Sequence, residues 1–257
     1  MRRLIFILFV PIFFACQKTP VKNVKKIDPN VEKLARVFAT LSPKCKAAIP
    51  NGSPTEFLSD LRFVLSRDKD GLLILCDKTH PLPEDYEPSD LVELESNPSY
   101  NVNRKELFLR APAQIALKTM GAAAREDGVT LLVSSTYRSF ARQKIVYEKL
   151  VEEDGQEEAD RESARPGTSQ HQTGAVIDFG SIDSSYEKTK PGKWLLDHAS
   201  EFGWSLSFPD GYEDVTGYRY ECWHFRYIGV DACRFQKKWF SDVQQFMLEF
   251  IDAWKRA

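Results

Sequence analysis

The chain has 257 residues, 42% of them hydrophobic and 28% charged, a balance that excludes a disordered chain and fits one globular domain with attachments. A formal net charge of −2 indicates no nucleic-acid partner. No repeat at a period of about 20–50 residues is present, which excludes a solenoid or propeller.

The N-terminus reads as a targeting segment. Arg2 and Arg3 form a basic start, and Leu4 to Ala15 is an apolar run of twelve residues, short for a bilayer span. The run ends at Ala15-Cys16, before the polar Gln17-Lys18-Thr19. This resembles a bacterial lipoprotein signal over 1–15, with Phe13 where Leu is usual and Cys16 as the lipidated first residue. Residues 16–30 are polar and Lys-rich, with Pro20 and Pro29, and read as a tether.

Val31 to Thr40 and Thr55 to Arg67 carry apolar residues at helical spacing, among them Phe57, Leu58, Leu61, Val64 and Leu65. Pro43, Pro50, Asn51-Gly52 and Pro54 separate them, so 31–70 is expected to be a helical leader. Gly71 to Cys76 reads as a buried strand, and Pro81, Pro83 and Pro88 force an extended loop after it. Arg110 to Asp127 is an Ala-rich helix that stops at Gly128. Val129 to Ser135 reads as a strand and Phe140 to Glu153 as a helix. The acidic stretch Glu152 to Glu162 is expected to be a solvated loop, with a substrate-side lid as the sharper alternative. Ala175 to Phe179 is a strand core, Lys193 to Phe202 a helix ended by Gly203, and Tyr218 to Tyr227 alternates as a strand would. Val243 to Trp254 is an amphipathic helix. Strands and helices mix without βαβ alternation, which predicts an α+β fold with an antiparallel sheet flanked by helices. The core domain is placed at 71–235 and a C-terminal helix at 236–257.

Beyond Cys16, four cysteines remain: Cys45, Cys76, Cys222 and Cys233. An even number outside the cytosol permits disulfides, and Cys45–Cys76 with Cys222–Cys233 is one pairing. Four free buried thiols is the other reading.

Two stretches carry the chemistry. Ser169-Gln170-His171-Gln172-Thr173-Gly174-Ala175-Val176-Ile177-Asp178 offers an imidazole and a carboxylate, with Gly174 permitting a tight reversal between them. Glu221-Cys222-Trp223-His224 offers a second imidazole and a spare carboxylate. Three ligands, an open position and a nearby base are what a catalytic zinc needs. Residues i and i+3 of a flat strand point to opposite faces, so Glu221 and His224 share a site only if the strand bends or Glu221 sits at its mouth. Cys222 would share the face of His224 on an ideal strand and is an alternative ligand. The plain reading of each histidine is a hydrogen-bonded structural residue.

These motifs, with the upstream Ser135-Thr136-Tyr137-Arg138-Ser139-Phe140-Ala141-Arg142-Gln143, follow the order and spacing of the VanY-like D-alanyl-D-alanine carboxypeptidase family, in the lysostaphin/D-Ala-D-Ala peptidase/hedgehog group. Further matches are Pro81-Leu82-Pro83, Trp194 with His198-Ala199, Phe202-Gly203-Trp204 and Thr216-Gly217-Tyr218, so the resemblance runs from about Leu72 to Gly229. It implies the hedgehog/D-Ala-D-Ala peptidase-like zinc peptidase fold, with one Zn2+ per chain on His171, Asp178 and His224. Glu221 becomes the general base that later returns the proton to the leaving amine, and Arg138 the cation that stabilises the oxyanion or positions the substrate. Gln143, Ser135, Ser169 and Tyr137 become substrate contacts, with turn chemistry as the alternative for the serines. His198 reads as structural, and Trp223 as core or a pocket wall. The chain departs from the family pattern at Thr136 (commonly Gly), Gln170 (usually Glu) and Cys222 (frequently Pro).

The implied activity is removal of the terminal D-Ala from peptidoglycan stem peptides, with L,D-carboxypeptidase or endopeptidase action as alternatives. An inactive zinc-containing module that binds wall peptides is the rival from another class. A monomer is expected, held by its lipid at the periplasmic or extracytoplasmic face of a bacterial cell envelope.

Overall fold

The computed structural model describes residues 29–257. The signal segment, Cys16 and nearly all of the tether lie outside the described residues. Among the described residues no helix is long and apolar enough to cross a membrane.

Three helices open the described chain: α1 (Pro29–Thr40), α2 (Pro43–Ala48) and α3 (Pro54–Arg67). Pro sits in the first turn of α2 and of α3, where its missing N–H costs nothing. Short strands β1 (Leu91–Glu93), β2 (Tyr100–Val102) and β3 (Phe108–Arg110) precede α4 (Ala111–Glu126) and β4 (Leu131–Ser135). Then come α5 (Phe140–Asp154), α6 (Gln156–Glu162), β5 (Val176–Phe179), α7 (Lys190–His198), β6 (Trp204–Leu206), α8 (Glu213–Thr216), β7 (His224–Tyr227), α9 (Val230–Trp239) and α10 (Gln244–Arg256).

The central sheet has the order β2-β4-β5-β7-β6. Its pairs are antiparallel except at one edge, where β2 lies parallel to β4. Strand alternation divides the sheet into two faces. Ile177 and Phe179 of β5 and Phe225 of β7 join a core with Leu117 and Met120 of α4 and Leu195 of α7. Asp178, His224 and Arg226 therefore face the other way. The register of β4 against β5 slips between Val133 and Ser135, and the slip brings Ser135 opposite Asp178.

A second core joins the two ends of the described chain. Leu34 and Val37 of α1 and Phe57, Leu58 and Leu61 of α3 pack with Phe235 and Trp239 of α9 and Phe246, Phe250 and Ile251 of α10. Phe57 is its hub, with its ring centroid 5.0 Å from that of Phe250 and 5.1 Å from that of Trp239. The leader and the C-terminal helices thus form one helical layer. α9, absent from the expected elements, belongs to it, and its buried Ala232, Phe235 and Trp239 fall at helical spacing.

The structure corrects three expectations. Gly71 to Cys76 forms no strand and joins no sheet. Its backbone is satisfied by side chains instead: Asp68 accepts from the Leu72 and Leu73 amides, and the buried Arg226 donates to the Leu72 and Ile74 carbonyls. The acidic stretch is a helix from Gln156, not a loop. Gly155 adopts φ +84 to separate it from α5, and Glu157 and Glu158 in its first turn complement the helix dipole. The strand expected over Tyr218 to Tyr227 begins only at His224. The segment before it turns, because the His224 amide donates back to the Glu221 carbonyl.

All four described cysteines are free and buried. Cys222 lies in the sheet core while Cys233 lies in the helical layer, so this pair cannot bridge. Cys76 turns its thiol to the Gly167 and Ser169 carbonyls, away from Cys45. Burial pushes both Cys45 and Cys76 up to about 12, which leaves them unreactive thiols.

Candidate metal centre and cleft

Asp178 and His224 are direct partners across β5 and β7, so the two side chains stand side by side on one face. His171 arrives from a 3-10 turn, Gln170–Thr173, which Ser169 caps by accepting from the His171 amide. Gly174 ends this turn at φ +68 and reverses the chain into β5. A Cβ there would come within 2.9 Å of Leu91 and 3.0 Å of Arg110, so both space and conformation call for glycine.

The three side chains converge. His171 Nε2 lies 3.1 Å from Asp178 Oδ2, and His224 Nδ1 lies 3.0 Å from Asp178 Oδ1. One ligand atom from each falls within 4.8 Å of the others, and all three residues are buried. His171 Nδ1 donates to the Thr136 carbonyl at 2.7 Å, which leaves the Nε2 lone pair aimed at the centre. The His224 ring is held edge-on to His171 at 5.0 Å and against Phe208 at 4.7 Å.

The electrostatics of this donor set call for a cation. Burial pulls His171 down, which favours the neutral, ligating imidazole. Burial also pushes Asp178 up, but His171 and His224 together outweigh it and hold the carboxyl far below its ordinary range. His224 is raised despite its burial, because Asp178 and Glu221 both draw a proton onto it. Asp178 Oδ1 is buried without a well-directed hydrogen bond. Two carboxylates around one imidazole, with an orphaned carboxylate oxygen, fit a bound divalent ion.

Glu221 sits at the mouth of β7, in the turn rather than the strand. Its Oε2 lies 3.3 Å from His224 Nδ1, and burial is the main cause of its raised pKa. It is not one of the three converging donors. Cys222 is not one either: its thiol points to the Asp183 carbonyl, away from the centre.

The centre opens into a cleft of about 680 Å³, which Arg138, Glu221, Ile182 and Trp223 help to line. Arg138 is largely buried, which lowers its pKa, and it lies within the field of Asp178 and Glu221. Its Nη1 donates to Gln143 Oε1 at 2.8 Å and its Nη2 to Ser135 Oγ at 3.3 Å.

The residues expected to touch substrate make these contacts in the fold. Gln143 is 1% exposed, and its Nε2 is occupied by the Ala164 carbonyl and Ser163 Oγ. Gln143 lines the cleft, and its Oε1 also holds Arg138. Ser135 accepts from Arg138, and Ser169, which also lines the cleft, caps the His171 turn. Tyr137 is not among the residues lining the cleft; it sits beside Glu87, and burial with that carboxylate pushes its phenol up to about 12. His198 is remote from the centre, stacked on Trp194 and paired with Glu201. Phe208 and the Thr136 carbonyl were missed as site components. Neither carries a local sequence signal, since one acts by its ring face and the other by its backbone.

Two imidazoles, a carboxylate between them, a second carboxylate and a guanidinium, brought to one cleft by the sheet and the turns beside it, define a metal-dependent peptidase. The family model for VanY D-alanyl-D-alanine carboxypeptidase matches residues 106–230. The putative carboxypeptidase YodJ of Bacillus subtilis (strain 168) is 37% identical over 190 residues, which span 70% of each protein. Among solved structures, the LD-carboxypeptidase LdcB superposes with a TM-score of 0.63 at 34% identity, over 71% of this chain and 86% of that one. The vancomycin resistance D,D-pentapeptidase VanY of a VanB-type cassette, in complex with Zn(II), superposes with a TM-score of 0.53 at 27% identity, over 62% of this chain and 89% of that one. The chain belongs to the VanY D-alanyl-D-alanine carboxypeptidase family.

Proposed function

We propose that this protein is a zinc-dependent D-alanyl-D-alanine carboxypeptidase that removes the terminal D-Ala of peptidoglycan stem peptides. The convergence of His171, Asp178 and His224 beneath Glu221 and Arg138 carries the reading. The three converging residues would hold one zinc ion per chain, in a monomer. When bound, zinc supplies a Lewis acid for the scissile amide carbonyl and for the attacking water.

The chain's own groups do the rest. Glu221 takes a proton from the attacking water and delivers it to the leaving amine nitrogen. Arg138, its fork aimed by Ser135 and Gln143, offers its remaining N–H groups to the developing oxyanion or to the substrate carboxylate. An inactive binding module would need the metal ligands but not a carboxylate placed as Glu221 is.

A carboxypeptidase must recognise a free terminal carboxylate. A pentapeptide ending in D-Ala-D-Ala should therefore be cleaved at its last bond. Amidating its terminus should lower kcat/KM at least about tenfold, or roughly 1.4 kcal/mol of transition-state binding. Mass spectrometry of the products decides the matter. Equal cleavage of the amide, or a cut inside the stem, would replace the carboxypeptidase reading with an endopeptidase one. The likeness to LdcB favours one second reading, L,D-carboxypeptidase action, for which the tetrapeptide would be the better substrate in the same assay.

We further infer a lipid anchor at Cys16, supported by the basic start, the apolar run and the Ala15-Cys16 junction. It would place the enzyme at the periplasmic or extracytoplasmic face of the cell envelope, beside its substrate. Cys16→Ser should shift the protein from the detergent phase to the aqueous phase; unchanged partitioning would refute the anchor.

A further inference from the structure

Behind the two histidines lies a buried polar link that reaches beyond the segment matched by the family model. Ser207, immediately after β6, is 1% exposed. Its backbone N–H donates to the His224 carbonyl at 3.2 Å. Its hydroxyl lies 2.8 Å from Oε1 of Gln170, the residue preceding His171, and 3.3 Å from Oε1 of Gln244, a three-centre arrangement. Gln244 is fully buried at the first position of α10, and its Nε2 donates to the Ser205 carbonyl at 3.3 Å. One side chain of α10 thus clasps the backbone at 205 and the hydroxyl at 207. That hydroxyl in turn reaches the segment carrying His171, and the backbone N–H of the same residue holds the His224 carbonyl.

A buried amide that did nothing but fill space would be a costly choice, since an apolar side chain of the same shape needs no partners. Here every contact of Gln244 lies on the β6 end that supports His224 and the His171 turn. We infer that Gln244 and Ser207 are positioning residues for the zinc ligands, so that the C-terminal helix is part of the catalytic apparatus. Groups that orient metal ligands through one intervening contact commonly govern affinity by about 10–100-fold. The inference rests on the zinc reading above and adds to it a role for a residue outside 106–230.

The test measures the zinc Kd by competition with a chromogenic chelator, and kcat and KM on the pentapeptide, in the full described chain. Gln244→Met keeps the length and burial of the side chain and removes its hydrogen bonds. Ser207→Ala removes only the hydroxyl and reads the same link without altering α10. The control is Gln245→Met: Gln245 is the buried neighbour on the same helix, but it bonds to Asp77 and Glu249 and has no contact with the histidine segments. Both test variants should weaken zinc binding about tenfold or more and lower kcat, with KM little changed. The double variant should lose no more than the worse single one, as expected of one shared link. Gln245→Met should lower the apoprotein Tm and leave zinc affinity unchanged. Equal zinc affinity in wild type, Gln244→Met and Ser207→Ala would overturn the positioning role alone, as would an equal loss in Gln245→Met. A wild type that binds no zinc would overturn the metal reading and this inference with it.

Discussion

Glu221→Ala is expected to retain zinc and to lose about 10²–10⁴-fold in turnover, the range of a general base. The structural argument separates the two effects. The backbone of Glu221 does the folding work: its N–H donates to the Phe208 carbonyl and its carbonyl accepts from the His224 amide. Both bonds survive truncation of the side chain. The carboxylate itself stands outside the trio of converging donors, so its loss leaves the ligand count unchanged. Zinc content by elemental analysis, measured beside kcat on the pentapeptide, checks both halves. Wild-type turnover in the variant would remove Glu221 from the mechanism.

His224→Ala is expected to do more, abolishing stoichiometric zinc and activity together. With His224 gone, the site keeps only His171 and Asp178, and a two-ligand site does not hold a catalytic zinc against chelators. The buried Asp178 also loses one of the two imidazoles that hold it ionised, so the apoprotein should be less stable than wild-type apoprotein. Undiminished zinc in the purified variant would defeat the ligand assignment.

The donors of this centre were legible because their chemistry is concentrated in short stretches: His171 to Asp178 with Gly174 between them, and Glu221 to His224. Their convergence was legible only through the family resemblance, not through local spacing. It depends on Asp178 lying opposite His224 in the β5–β7 register, a relation between distant segments that local spacing does not encode. The same limit explains Gln143. Sequence displays an amide able to bind a substrate, whereas the fold adds that this amide accepts from Arg138 and donates to the Ala164 carbonyl. Gly71 to Cys76 misled for a related reason. An apolar run reads as a strand until the buried Arg226 is seen to claim its carbonyls. The problem of placing Glu221 and His224 three residues apart was visible in advance, and the turn before β7 is its solution.

The helical layer joining the two ends of the described residues has a consequence for the order in which the protein is made. α1 and α3 are synthesised early, yet their apolar faces have no permanent cover until α9 and α10 exist. Phe57 waits for Trp239 and Phe250. Closing this core spans nearly the whole described chain, so the loop-closure entropy falls due at the end of synthesis. Until then the leader is an unfinished surface rather than a folded unit. A ribosome that stops before α10 releases a chain whose first helices are as incomplete as its last.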